Sequence, residues 1–490
     1  MLPFQTLIIV DKQADTPVYQ QVANRLVGLI REGIIKPGAA LPGSREMAGL
    51  LQLHRKTIVA AYDELCAQDW IATIPRKGVF VAQDLPDIKP RSFTAGIRIP
   101  AYAGNTGFEF SSQIPFRVPT VRIDKQRLLI NDGFPDMRLA PMDILLREYR
   151  SLVQNPAVHM MLERGEPSGM YSLRETMVPL LSATRGLNIQ AGNVLITRGA
   201  QMAIYIAVQL LIQPGDYVAV AEPNYFMANL MFEQAGAKLV KIPVDEQGMD
   251  IDALAVACRK KKIKMVYVIP HHHHPTTVTL SSQRRMQLLE LVRQYKLAVI
   301  EDDYDFSFHY DSAPILPLAS THHEGCVIYI GSVTKLMTPS LRVGFMIAPE
   351  NFIKQAFYLK RLMDLRGDNL MEAALSVMIR NGDIGRHLKK SNKLYHQRRD
   401  LFCSLLDKHL PGIVSYYKPG GGMAIWTQFN RKYPLPEVAA RASQAGLFMS
   451  DGSSYITGKD NHNALRIGFA SLNEKEMEEI VGILKKSTLR

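Results

Sequence analysis

The chain has 490 residues, 47% of them hydrophobic and 21% charged, with a formal net charge of +12 at pH 7. That is the composition of folded protein with room for about two to four domains, each with a sizeable core. No apolar run reaches the ~18–20 residues of a spanning helix and no basic stretch followed by an apolar one opens the chain, so a membrane role is not expected and the cytoplasm is the expected location. Four scattered cysteines, Cys66, Cys258, Cys326 and Cys403, have neither metal-ligand spacing nor a paired rhythm and read as reduced thiols. The positive balance favours a polyanionic partner, with the placement of the charges deciding the matter.

Residues 12–82 carry a pattern of their own. Val18, Val22, Leu26 and Ile30 recur at helical spacing, and Pro37-Gly38 ends the run. SREMAGLLQL (44–53) reads as a short second helix with Ser44 as N-cap. HRKTIVAAYDELCAQD (54–69) reads as a third, burying Ile58, Val59, Tyr62 and Leu65, and WIATIPRKGVFVA (70–82) as two short strands joined at Arg76-Lys77-Gly78. Helix, short helix, helix and hairpin is the order of a winged helix-turn-helix, whose third helix enters the DNA major groove while the hairpin reaches the backbone. The residues at those positions are Arg45, His54, Arg55, Lys56, Thr57, Arg76 and Lys77. A small helical domain with a solvated basic rim is the plainer alternative, and the clustering of charge at groove-facing positions favours DNA. The stretch 40–82 resembles the DNA-binding domain of the GntR regulators, keeping Leu41-Pro42, Ser44-Arg45, Arg55, Thr57, Ala61-Tyr62 and Gly78. It departs in placing His54 where a serine is common and Pro75 in the wing.

Residues 83–124 hold five prolines (Pro86, Pro90, Pro100, Pro115, Pro119) and no sustained period, the composition of a semi-rigid linker. From 125 to 490 the pattern alternates. NVLITRG, YVAVAEP, AKLVKIP, KMVYVIP, LAVIEDD and CVIYIG are apolar, β-branched runs separated by helical stretches, which predicts an α/β fold with a mainly parallel sheet. Ligands of such sheets bind beyond the carboxyl ends of the strands, and the unusual residues lie there. Arg198-Gly199-Ala200-Gln201 opens a helix, where small residues let backbone N–H groups approach an anion. Glu301-Asp302-Asp303-Tyr304 ends another strand; paired carboxylates suit a hard cation, and an aspartate facing a pyridine nitrogen serves equally. Ser332-Val333-Thr334-Lys335 follows a third strand, with Arg342 seven residues on. A desolvated lysine forms a Schiff base with an aldehyde, while Ser332, Thr334 and Arg342 suit a dianionic phosphate. Singly each group is more often structural. Jointly they are the partners that pyridoxal phosphate needs.

Residues 125–490 resemble the fold-type I aminotransferases of class I/II, in GEPSGMYSLRE (165–175), the 197–225 segment, EDDYDFSFHYD, GSVTKLMTPSLRVGF and LRIGFA (465–470). With the GntR-like head, the chain is similar to the MocR/GabR-type regulators. The resemblance implies that Lys335 holds pyridoxal phosphate as a Schiff base, that Asp302 pairs with the pyridinium nitrogen and Tyr304 with the ring hydroxyl, and that Tyr225 stacks on the ring. It implies that Gly199, Ala200, Gln201, Ser332 and Arg342 surround the phosphate and that Arg466 takes the carboxylate of an amino-acid-like ligand. It also implies a homodimer with each head reaching toward the partner's body. The family pattern is altered at Arg164, Glu166, His273, His274 and Thr277. No metal is expected: the four histidines of IPHHHHPTTVTLS are adjacent on a loop, with no spaced carboxylate or cysteine set. The expected function is a DNA-binding regulator that senses an amino-acid-like or vitamin B6-related amine at Lys335; the alternatives are a working aminotransferase carrying a DNA-binding head, and a scaffold that has lost its cofactor.

Overall fold

A computed structural model describes residues 2–12, 14, 16–75, 77–86, 103–110, 128–156, 158, 165–311, 315–455 and 462–489, without the Thr334 side chain. The expected contacts of Arg76, the departure at Arg164 and most of the proline-bearing 83–124 segment lie outside these residues. The chain forms two compact units, Met1–Ser111 and Ser112–Arg490.

In the first unit, a short helix Phe4–Leu7 precedes α-helices Val18–Arg31, Ser44–Leu51 and Arg55–Ala67, and three strands, β1 (Ala40–Leu41), β2 (Ile71–Ile74) and β3 (Gly78–Val81), form a sheet in the order β1-β3-β2. The helical repeat at 18–30 does what its spacing predicts: Val22, Leu26, Leu29 and Ile30 are buried against Met47, Ile58, Leu65 and Trp70. Burial of each such side chain contributes roughly 1.5–3 kcal/mol. Two expectations need correction. Ser44 is the first helical residue rather than the cap; Gly43 occupies the N-cap with extended backbone, and the Ser44 hydroxyl accepts from Arg55 Nε at 3.4 Å. Val59 is exposed, because Ile58, Tyr62 and Leu65 at i, i+4 and i+7 already define the core face and the next residue is turned about 100° away from it. Tyr62 fixes the third helix to the turn before the second by donating from its hydroxyl to the Pro42 carbonyl at 2.8 Å.

The second unit is built on an eight-stranded sheet. Its strands are β5 (Val194–Thr197), β6 (Tyr217–Glu222), β7 (Lys238–Asp245), β8 (Gly248–Met249), β9 (Ile263–Val268), β10 (Ala298–Asp303), β11 (Val327–Ser332) and β12 (Gly344–Ile347), after a short β4 (Leu128–Leu129) outside the sheet. They lie in the order β5-β12-β11-β10-β9-β6-β7-β8. Pairing is parallel from β11 through β10, β9 and β6 to β7, and antiparallel where β12 joins β11 and β5 and where β8 joins β7. The apolar runs are continuous because both faces are covered: Ile204, Val208 and Phe232 pack on one side, Leu254, Leu288 and Val292 on the other. A smaller antiparallel sheet follows, β13 (Val414–Tyr416), β14 (Ala424–Phe429) and β16 (Ala464–Gly468), while β15 (Leu447–Phe448) pairs with β4. No helix among the described residues is long and apolar enough to cross a membrane.

Candidate functional site

A cavity of about 370 Å³ opens beyond the carboxyl ends of β9, β10 and β11. Of the residues expected around a cofactor, Ala200, Gln201, Tyr225, Asp302, Tyr304, Ser332, Lys335 and Arg342 line it. Gly199 and Arg466 are not on its wall, and each packs against a residue that is, Arg342 and Asp132 respectively.

Strand alternation selects which carboxylate faces the cavity. Glu301, Asp302 and Asp303 succeed one another on β10, so the outer two share a face and the middle one opposes them. Glu301 accepts from the backbone N–H groups of Leu318 and Ala319 at 2.8 and 2.9 Å, and Asp303 takes the Tyr329 hydroxyl at 2.7 Å and meets His271 Nδ1 at 3.2 Å. These two carboxylates therefore serve the fold. Asp302 accepts from the Tyr267 hydroxyl at 2.7 Å through one oxygen, and its other oxygen, Oδ1, is buried with no partner among the described residues. Burial pushes the Asp302 carboxyl up to about 7, against the pull of the Tyr267 hydrogen bond. An incoming ring N–H⁺ would satisfy the orphaned oxygen and restore the charge.

Lys335 sits in a single 3₁₀ turn, Thr334–Leu336, after β11. Its Nζ donates to the Gly133 carbonyl at 2.8 Å and lies 4.5 Å from the Phe134 ring centre and 5.8 Å from that of Tyr304. Burial lowers its pKa to about 8, opposed by the nearby Asp132 carboxylate. The amine is thus closer to its nucleophilic form at neutral pH than a solvated lysine.

The helix Ala200–Leu211 begins after Gly199, which holds φ +85° and ψ 167°. The N–H groups of its first turn have no partner within the helix, and Ala200 and Gln201 of that turn line the cavity. A Cβ on Gly199 would lie 2.8 Å from Arg342 Nη2, so glycine is what allows this guanidinium to pack against the turn. Arg342 donates to the Arg198 carbonyl at 2.9 Å. Turn, Ser332 hydroxyl and Arg342 together fit a phosphate, and Lys335 with the orphaned Asp302 oxygen fits the aldehyde and ring nitrogen of pyridoxal phosphate.

Around Arg466 the site holds groups that the sequence reading did not include. Arg466, 2% exposed on β16, meets Asp132 Oδ1 at 3.2 Å and donates to the Asp132 and Pro275 carbonyls, both at 3.3 Å, and to the Tyr304 hydroxyl at 2.9 Å. Asp132 also meets His274 Nε2 at 2.7 Å and accepts from Tyr455 at 3.4 Å. His274 and the Arg466 guanidinium hold the Asp132 carboxyl down at about 2, outweighing the burial that alone would raise it. Tyr304 donates its hydroxyl to the His272 carbonyl at 3.0 Å. The histidine run is dispersed: His271 goes to Asp303, His272 to Asp305, His273 to Thr276 and His274 to Asp132. Sequence reading missed Asp132, Phe134 and Tyr267. Asn131-Asp132-Gly133 has ordinary turn composition, and Tyr267 is one aromatic in an apolar strand; only the alternation of β9, which sends it to the same side as Asp302, could have singled it out.

In the first unit, Arg45, His54, Arg55, Lys56 and Lys77 are exposed and Thr57 is half-buried. His54 has a second role that sequence alone did not reveal: it is the N-cap of the third helix, its Nδ1 accepting from the Lys56 N–H at 3.2 Å. Arg55 and Lys56 line a shallow hollow with Val59, Ala60 and Asp63.

Comparison with known proteins agrees with this division. The family described as "Aminotransferase class I and II" matches residues 154–484, and "Bacterial regulatory proteins, gntR family" matches 18–81. The chain is 26% identical to a probable rhizopine catabolism regulatory protein, MocR, of Rhizobium meliloti, over 99% of this chain and 96% of that protein. It is 30% identical to an uncharacterised aminotransferase of Saccharolobus solfataricus, over 72% of this chain and 90% of that one. Among solved structures, a kynurenine aminotransferase of Pyrococcus horikoshii superposes with a TM-score of 0.69 at 27% identity, covering 74% of this chain and 91% of that chain.

Proposed function

Since the chain belongs to the class I and II aminotransferase family and joins that domain to a gntR-type DNA-binding head, as MocR-like regulators do, we propose that it is a transcription regulator that binds pyridoxal phosphate at Lys335 and senses a primary amine there. The observation that carries this reading is the convergence of Lys335, the orphaned Asp302 oxygen and the Gly199–Arg342 anion cradle on one cavity. The bound cofactor supplies an aldehyde carbon that condenses with amines. Lys335 supplies the amine that an effector would displace, Asp302 holds a proton at the ring nitrogen, and Arg342 with the helix N-terminus holds the phosphate. Release of the Lys335 side chain would change what the cavity wall contacts, and a ligand that binds two arrangements unequally shifts the balance between them. The working unit is a homodimer, the usual symmetry of a protein that reads paired half-sites.

Two measurements test this. The rate at which the apo-protein captures pyridoxal phosphate should rise as pH rises through about 8, because Lys335 sheds its proton there; rapid-mixing absorbance reads it, and a rise delayed to the range of a solvated lysine, ~10.4, would remove the activated amine. On the DNA side, Arg55→Ala should weaken binding to the upstream DNA about tenfold and flatten the dependence of log K on log salt, read by fluorescence anisotropy. Unchanged affinity and salt slope would argue against the third helix as the contact.

Turnover as an aminotransferase is a second reading, favoured by the lowered pKa of Lys335, which suits a proton shuttle as well as a sensor. Steady consumption of an amine in the presence of a keto acid supports the enzyme; one stalled equivalent per site supports the sensor.

A further inference from the structure

The amine-sensing reading leaves open which amines fit, and the ionic arrangement around Asp132 and Arg466 bears on that. Arg466 is not part of the cavity wall; its ion partner Asp132 is, with its side chain 44% exposed. The guanidinium is already held by the Asp132 carboxylate and carbonyl, the Pro275 carbonyl and the Tyr304 hydroxyl. Asp132 is not a loose side chain that happens to reach inward. Asn131 Oδ1 accepts from the N–H groups of Gly133 and Phe134 at 3.0 and 2.9 Å, its Nδ2 donates to the Ser471 hydroxyl at 2.7 Å, and its carbonyl accepts from Gly468 at 2.8 Å. The turn is therefore locked to the same strand that carries Arg466. His274 and Tyr455 grip the carboxylate from the other sides.

An α-amino acid condensed at the position of Lys335 with its carboxylate turned toward Arg466 would meet a guanidinium that a fixed carboxylate, on the cavity wall, already compensates. Two like charges would then share one guanidinium, which disfavours the ligand. A primary amine without that carboxylate meets no such conflict, and Phe134, Phe226 and Met227 offer it apolar wall. We infer that Asp132 is a specificity-determining residue that occupies Arg466 in place of a ligand carboxylate, so that the site takes decarboxylated primary amines in preference to α-amino acids. This rests on the amine-sensing reading and narrows its ligand class.

The test uses the full chain loaded with pyridoxal phosphate and a matched pair that differs only in the carboxylate, phenethylamine and phenylalanine. Binding is followed by the change in cofactor absorbance and, independently, by calorimetry. The wild type should bind phenethylamine at least about tenfold more tightly, and Asp132→Asn should reverse the ratio by a similar factor, since it frees Arg466. A purely structural role for Asp132 would weaken both ligands together and leave the ratio unmoved. Tighter binding of phenylalanine by the wild type would overturn the inference without any variant being needed, and would leave the amine-sensing reading intact. If the protein takes up no pyridoxal phosphate, or neither ligand perturbs it, that reading falls and this one with it.

Discussion

Lys335→Ala is expected to abolish the visible absorbance of pyridoxal phosphate-loaded protein and every response of DNA binding to an amine, while leaving the unliganded affinity for DNA within about twofold. The physical grounds are local. Among the described residues Lys335 is the one lysine on the cavity wall, it shares that wall with Asp302, and it is desolvated enough to lose its proton near pH 8. Lys360 does not substitute: it is committed to the Pro167 carbonyl and lines a different hollow. Folding should survive, because the alanine removes a buried amine whose charged form is already disfavoured by burial and leaves the 3₁₀ turn able to form. Absorbance titration and anisotropy on the same preparations read the outcome. A variant that still shows the absorbance, or still responds to the amine, would remove Lys335 from the site.

Gly344→Ala should reduce stability by about 2 kcal/mol and cofactor affinity by at least about tenfold. Gly344 begins β12, paired with Thr197 on one side and Ser332 on the other, and its α-carbon faces the turn that opens the phosphate cradle. A Cβ there would lie 2.5 Å from the Gly199 carbonyl carbon and 2.7 Å from the Ala200 nitrogen. Those are backbone atoms of a strand–helix turn, so neither can swing aside as a side chain would. The turn must move, and the N–H groups of the first helical turn, where a phosphate would be held, move with it. Gly385→Ala is the control: it lies inside the helix Asp383–His409 with nothing near its would-be Cβ, and should gain up to about 1 kcal/mol from helix propensity alone. Thermal unfolding and a pyridoxal phosphate titration distinguish the two. Equal effects would mean that Gly344 is not a point of close approach.

These two substitutions differ in how far the sequence announces them. Lys335 is legible because its segment keeps the residue types and spacing of a phosphate-and-amine site right after an apolar strand. Gly344 is one of 33 glycines, and nothing in the string says that its α-carbon packs on the Gly199–Ala200 turn. Val59 shows the same limit on a small scale: its residue type suits a core, and the phase of the helix sends it outward.

The winged head, the mainly parallel sheet and eight of the 16 residues on the cavity wall were legible in the sequence and in the family resemblance it carries. Helical and strand periods fix local backbone and facing, and a ligand site beyond the strand ends follows from the fold. What only the tertiary structure decided is how the charges pair. Glu301 and Asp303 are taken up by the fold while Asp302 is left for the cavity, and Arg466 is met by Asp132, separated from it by 334 positions in the chain. An ion pair of that span is set by how the 131–133 turn packs against β16, with Asn131 bonded to Gly468 and Ser471. Short-range patterns carry no trace of such packing, so the sequence shows that an arginine is present and the fold decides whether a ligand can reach it.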